Sequence, residues 1–341
     1  MNRLERLVRE NIRALKPYSS ARDEFSGSEG IFLDANENPF GTLNRYPDPY
    51  QKALKEKLSQ LKDIPSKNIF IGNGSDEIID LVFRIFCEPG TDKVITFPPT
   101  YGMYEVSAGI NNVEVIRVKL TPDFQIDFEA FFQQMEQNKN IKIVFVCSPN
   151  NPTGNSIYNI EKLLEYNTIV VVDEAYIDFS ERASLIEKLP EYPNLIVSQT
   201  FSKAFGLAAA RVGVAYANES IVALLNKVKP PYNVSALNQK AALEMLENYS
   251  LVQDRIRLIL NEKEQLINQL SELDEVIKIY PSDANFLLVE FKNANEIYEN
   301  LVNHNIIVRN RNSSIKNCIR ITVGSAEENS QLINTLKNYK L

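Results

Sequence analysis

Short runs of Val and Ile alternate along this chain with stretches of helical periodicity. The runs are NIFIGNG (68–74), KVITF (93–97), VEVIRV (113–118), IKIVFVCSP (141–149), TIVVVDEAY (168–176), LIVSQ (195–199) and VGVAYA (212–217). They show little polar alternation, as strands do when both faces are buried under helices in a parallel sheet. Between them, YQKALKEKLSQLK (50–62) and IDFEAFFQQMEQN (126–138) carry helical spacing. The pattern predicts an α/β unit with a mostly parallel sheet flanked by helices.

Residues 235–275 read as one or two long helices that leave this sheet. Beyond them NFLLVEF (285–291), IIVRN (306–310) and CIRITVG (318–324) read as strands, with a helix at ANEIYENLVNHN (294–305). That predicts a smaller α+β domain. A chain of 341 residues is long enough for two such units. The expected boundaries are 40–245 for the large domain, and 1–39 with 246–341 for the N-terminal segment and small domain. The first residues are expected to pack with the C-terminal lobe.

A net charge of −7 argues against nucleic acid or an anionic membrane as partner, since phosphate-rich surfaces need a basic face. The three cysteines, Cys87, Cys147 and Cys318, are scattered, and His304 is the one histidine, so no metal-ligand spacing exists. An odd number of cysteines fits reduced thiols. The charged start MNRLERLVREN has no signal-peptide core, and no apolar run reaches membrane length. The expected location is cytoplasmic.

In open α/β sheets, ligands bind at the carboxyl ends of the strands. Five runs here end in polar or aromatic groups: GNGSDE, PPTYGMY, CSPNNPTG, DEAY and TFSK. GNGSDE allows a tight turn into a helix starting at Ser75-Asp76, whose free N–H groups suit a phosphate. Taken alone, the motif is more often a plain helix cap, since capping is so common. Asn151 can offer an amide to a ligand oxygen from the SPNNPTG turn. Asp173 follows four apolar residues and, if buried, needs a partner such as a protonated ring nitrogen; an N-cap is the alternative. Tyr176 is three residues on.

Lys203 sits in TFSKAFGLAAAR, with Thr200, Ser202 and Arg211 around it. A partly buried lysine beside cations has a lowered pKa and becomes a nucleophilic amine. A lysine, an anion pocket and a carboxylate for a pyridinium nitrogen are the requirements of pyridoxal 5'-phosphate (PLP).

Together GNGSDE, PTYGMY, SPNNPTG, VVVDEAY and TFSKAFGLAAARVG resemble the fold-type I PLP-dependent aminotransferases. ENIRALKPYSSAR (10–22), LDANENPFG (33–41), RYPDP (45–49), IIVRN and CIRITVG narrow the resemblance to the histidinol-phosphate aminotransferase family. Phe201 and Ala209-Ala210 stand where that pattern has Leu and Gly-Leu. The resemblance implies Lys203 as Schiff-base lysine and proton shuttle, and Asp173 on the ring nitrogen. It implies Asn151 and Tyr176 on the ring's phenolic oxygen, and Tyr101 stacked on the ring. The cofactor phosphate would sit on Gly74, Ser75 and Asp76 with Thr200, Ser202 and Arg211. Tyr46 would reach that phosphate from a second subunit, which implies an obligate homodimer with shared sites.

For the substrate, the resemblance implies that Arg309, Arg320 and Tyr18 hold its phosphate and that Asn36 and Glu37 lie near its imidazole. Surface pairing is the other reading of those arginines. The implied reaction joins L-histidinol phosphate and 2-oxoglutarate to give imidazole-acetol phosphate and L-glutamate, in histidine biosynthesis. A broad-specificity aromatic aminotransferase or a threonine-phosphate decarboxylase would share the cofactor residues.

Overall fold

The computed structural model describes residues 4–17 and 30–339. Its main sheet has seven strands in the order β1-β7-β6-β5-β4-β2-β3. These are β1 (Ile69–Gly72), β2 (Lys93–Thr96), β3 (Glu114–Arg117), β4 (Ile141–Cys147), β5 (Ile169–Asp173), β6 (Leu195–Thr200) and β7 (Gly213–Ala217). Strands β6, β5, β4, β2 and β3 run parallel, while β7 is antiparallel to both β6 and β1. The expected mostly parallel sheet is present, with one reversed strand.

The Val/Ile runs lack polar alternation because both faces are covered. Ile143, Phe145, Ile169, Val171 and Ile196 pack into one layer; Val144, Val146, Val170, Val172 and Val197 pack into the other. The first layer is closed by α3 (Ser75–Phe86), α4 (Met103–Ile110) and α7 (Glu219–Val228). The second is closed by α2 (Lys52–Lys62), α5 (Phe128–Gln137), α6 (Glu161–Leu164) and α8 (Ala236–Glu247). Alternate residues of one strand therefore reach different cores.

The stretch 235–275 is two helices, α8 and the long α9 (Tyr249–Ser271). Leu266 and Leu270 of α9 enter a third core with the small sheet. That sheet, ordered β10-β11-β9-β8, is antiparallel: β8 (Val276–Ile279), β9 (Phe286–Phe291), β10 (Arg309–Asn310) and β11 (Cys318–Thr322). Helices α10 (Ala294–Asn303) and α11 (Ala326–Lys337) cover it. β8 carries no run singled out from sequence, and IIVRN contributes only its last two residues as strand.

The described N-terminal residues differ from expectation in their packing. Leu4, Leu7, Val8 and Ile12, the last in the short α1 (Glu10–Ala14), join the large unit's first layer with Phe83 and Phe86 of α3. Arg9 pairs with Glu88 at 3.0 Å, and its N–H donates to the Ile85 carbonyl. The apolar spacing of 4, 7, 8 and 12 makes a stripe that α3 can bury, and the small sheet's core is filled by its own helices.

The small unit is tied over the carboxyl ends of the main strands. The Asp283 N–H donates to the Gly154 carbonyl, and Ser156 N–H donates to the Asp283 carboxylate at 3.1 Å. The Phe286 ring meets Tyr176 edge-on at 5.1 Å. This docking sets β10 and β11 above the ends of β4, β5 and β6.

Candidate active site

Where the two units meet lies a cavity of about 610 Å³. Its walls come from every strand end singled out above. Ser75 and Asp76 follow β1, Tyr101 follows β2, and Asn151 follows β4. Asp173 ends β5 and Tyr176 follows it; Thr200 ends β6, with Ser202, Lys203 and Arg211 after it; Arg309 and Arg320 come from the small sheet.

Asp173 is fully buried, ends the apolar β5, and sits in register with Cys147 and Ser198. It caps no helix. Its carboxylate accepts from the Tyr104 hydroxyl at 2.9 Å, from Ser198 Oγ at 3.3 Å and from the Ala175 N–H at 3.3 Å. Burial pushes its pKa up, and those three donors oppose the rise. Without a cation its ionised form is costly in this setting. A pyridinium N–H would be a fitting partner.

Lys203 stands in the turn after β6, open to the cavity in the single chain, with its amine 5.7 Å above the Tyr176 ring. Among the described residues the amine makes no hydrogen bond or ion pair. Burial first, then the nearby Arg320, draws its pKa below the usual lysine value. That is the condition for an amine that must be neutral to react.

The anion cradle is built from close backbone approach. Gly74 takes φ +76°, and a side chain there would meet Arg211 Nη2 at 2.6 Å. At Gly213 an added Cβ would come within 2.4 Å of the Ser75 nitrogen. Small residues at both places let the start of α3 lie against Arg211. Gly74 is the N-cap of α3 and makes no side-chain cap, so the first N–H groups are not taken by a capping side chain. Arg211 reaches Asp76 at 3.3 Å and Ser202 Oγ at 3.5 Å. Thr200 Oγ1 accepts from the Ser202 N–H at 3.1 Å. An uncapped helix start beside an arginine and two hydroxyls fits a phosphate.

Asn151 is buried. Its amide donates to the Tyr176 hydroxyl at 3.3 Å, and its carbonyl accepts from Arg320 Nη1. Tyr101 donates to Asp76 at 3.0 Å and packs edge-on to Tyr104. Arg309 and Arg320, eleven positions apart in sequence, are direct cross-strand partners of β10 and β11. The donor set therefore fits PLP at each end of the group: a carboxylate for the ring, an anion cradle for the phosphate and an amine between them.

Three site residues lie elsewhere in the chain. Asn36, Glu37 and Tyr46 line a separate cavity of about 450 Å³ with Tyr232 and the start of α8. Glu37 is committed locally: it pairs with Arg45 at 2.8 Å and accepts from the Tyr46 N–H. The Tyr46 ring stacks on Tyr232 at 4.3 Å. Tyr18 lies outside the described residues. Conversely, Tyr104, Ser198 and Arg311 belong to the cavity or its support and were not read from sequence. The signals existed: Tyr104 is three residues past Tyr101, Ser198 is a hydroxyl in an apolar strand, and Arg311 alternates with Arg309. Among the described residues no group of His, Cys, Asp and Glu can hold a metal, and no helix is long and apolar enough to cross a membrane.

A lysine amine, a buried carboxylate and an anion cradle at the ends of parallel strands define a class of enzyme that works through PLP. The sequence agrees, since residues 27–336 match the family model described as aminotransferase class I and II. A histidinol-phosphate aminotransferase of Christiangramia forsetii is 54% identical over 342 residues, covering 98% of this chain and 97% of that protein. One from Cytophaga hutchinsonii is 50% identical, covering 98% and 99%. The crystal structure of the histidinol-phosphate aminotransferase from Sinorhizobium meliloti in complex with pyridoxal-5'-phosphate superposes with TM-score 0.79 at 25% identity, covering 89% and 88%. The chain belongs to the class I and II aminotransferase family and, within it, to the histidinol-phosphate aminotransferases.

Proposed function

We propose that the chain transfers the amino group of L-histidinol phosphate to 2-oxoglutarate, giving imidazole-acetol phosphate and L-glutamate in histidine biosynthesis. The observation that carries this reading is the meeting of Lys203, Asp173 and two separate groups of cations in one cavity. Bound there, PLP supplies an aldehyde for the amino group and an electron-withdrawing ring.

The chain's own residues do the rest. Asp173 holds the proton on the ring nitrogen, and Tyr104 and Ser198 hold Asp173 in place. Asn151 and Tyr176 would hold the ring through its phenolic oxygen, and Tyr101 would pack against it. The N–H groups at Gly74, Ser75 and Asp76, with Thr200, Ser202 and Arg211, hold the cofactor phosphate. Lys203 Nζ would take the proton from the substrate's amine-bearing carbon and hold it as an ammonium; its lowered pKa keeps the amine available as base. Arg309 and Arg320 hold the substrate's anionic end.

The same reading makes the enzyme a homodimer. Ile31, Leu33, Phe40 and Leu43 are strongly exposed in the single chain, and they flank Asn36, Glu37 and Tyr46. A second copy that covers them would bring Tyr46 to the cofactor phosphate, and Asn36 and Glu37 to the substrate. Residues 40–245 form the cofactor-binding domain in this account, completed by the remainder of the chain. The working site is cytoplasmic.

The test is a half-reaction. L-histidinol phosphate added without keto acid should bleach the visible band of the purified holoenzyme, and 2-oxoglutarate should restore it. Bleaching by aromatic amino acids alone, or carbon dioxide release from threonine phosphate, would replace the substrate assignment. Absence of any band after PLP is supplied would overturn the cofactor assignment.

A further inference from the structure

The cavity wall is more cationic than two substrate arginines explain. Lys203, Arg211, Arg309, Arg311 and Arg320 line it against only two carboxylates, Asp76 and Asp173. Five cations minus two anions leaves an excess of three in a chain whose net charge is −7. Arg211 pairs with Asp76, and Asp173 lies near Lys203. The imbalance therefore sits on the small sheet.

There the geometry is regular. Arg309 faces Arg320 across the β10–β11 ladder. The Arg311 N–H donates to the Cys318 carbonyl at 2.9 Å and continues the ladder, so Arg311 stands two residues past Arg309 on the same face. Arg311 Nε is buried and has no hydrogen-bond partner. Among the described residues, no carboxylate forms an ion pair with Arg309, Arg311 or Arg320. Burial, then Arg320 and Arg309, holds the Arg311 guanidinium below its usual pKa. Three like charges and an orphaned buried donor around one space constitute a site for a multiply charged anion.

We propose that Arg311 is a third guanidinium of the substrate-anion subsite and that it selects a doubly charged phosphate ester over a singly charged carboxylate. This rests on the transaminase reading above. A planar carboxylate offers two oxygens and is satisfied by one guanidinium fork. A tetrahedral phosphate ester offers three terminal oxygens and a second charge, which a third fork can use. Arg311 thus contributes little to glutamate and much to the phosphate ester.

The experiment uses holoenzyme, so that the cofactor fills its own phosphate cradle. In Arg311→Gln, KM for L-histidinol phosphate should rise about 10- to 100-fold with kcat at saturation little changed, as expected when uniform binding to a charged partner is lost. KM for glutamate should move less than about threefold. In the unaltered enzyme, kcat/KM for the ester should climb through about pH 6, where a phosphate monoester takes its second charge. That climb should flatten in Arg311→Gln and partly return in Arg311→Lys. Equal losses for both substrates, or an unchanged pH profile, would mean a structural role and overturn the proposal.

A second arm does not depend on which ester is the substrate. Inorganic phosphate should inhibit the glutamate half-reaction, and about tenfold more weakly in Arg311→Gln. Identical inhibition in both proteins overturns the role of Arg311. Failure of histidinol phosphate to react with the unaltered enzyme overturns only the substrate assignment, because the phosphate arm still decides the arginine.

Discussion

The strand-end cavity and the 30–47 segment carry site residues in opposite physical settings. Asp173, Thr200 and Asn151 are buried, and each is fixed by hydrogen bonds to neighbouring side chains or backbone. In the other region Leu33 is 88% and Phe40 82% exposed, and order comes from local contacts such as Glu37 with Arg45. A buried sheet end can hold chemistry to a fraction of an ångström because packing leaves the backbone no alternative. An exposed apolar strap of this kind is the surface on which the proposed second copy would pack.

The largest effect should fall on the buried region. Lys203→Ala should lower the half-reaction by about 10²–10⁴-fold or more, the range assigned to general acid–base groups, while the fold is kept. Stopped-flow bleaching of the visible band measures it. If the loss were small, the cavity would not be the reacting centre.

Asp173→Asn sharpens the contrast between function and stability. PLP affinity and turnover should fall, yet the cofactor-free protein should be no less stable than the unaltered one at neutral pH. The sign follows from linkage: the folded pKa of Asp173 is raised, so folding takes up a proton between the unfolded and folded values. Stability from this group is present below the unfolded pKa and is lost as pH rises through the folded one. A neutral amide removes that loss. Thermal melts of the cofactor-free proteins from about pH 4 to 8 check it, and a lower melting point for Asp173→Asn at pH 7 would contradict the account.

Tyr104→Phe should act through Asp173 without touching the substrate. Removing one donor from a buried carboxylate costs about 1–3 kcal/mol and raises the aspartate's pKa further. The acid limb of the activity profile should therefore move to higher pH. An unshifted limb would mean that Tyr104 serves packing alone, through its stack with Phe145 at 4.9 Å.

The smallest effect on the folded chain should come from Phe40→Ser, within about 0.5 kcal/mol, because the ring is exposed. Its effect on assembly should be larger. Sedimentation should show weaker dimerisation, and a variant that dimerises normally would separate the strap from the interface.

Much of the fold was legible because burial on two faces writes itself into sequence as unbroken Val/Ile runs. The cavity's lining residues were legible because most of them follow those runs directly. β8 was missed because VIKI is short and half-exposed, so its apolar signal is weak. The N-terminal stripe was assigned to the wrong unit because an amphipathic segment shows that it packs, but not against what.

DEAY shows where sequence stops. Asp173 and Glu174 are adjacent carboxylates, both buried, and nothing in their order says which faces the cavity. Asp173 shares the face of Ile169 and Val171, where Tyr104 meets it. Glu174 turns to the other face, where Ser184, Gln199 and the Leu185 N–H hold it. The two-residue period of a strand separates them only once the sheet has been assigned its two layers. In the same way sequence determined that Arg309, Arg311 and Arg320 are permanent cations, since side-chain chemistry is local. Only the antiparallel register of β10 and β11 decided that they converge, because pairing across a ladder joins residues that the chain itself holds apart.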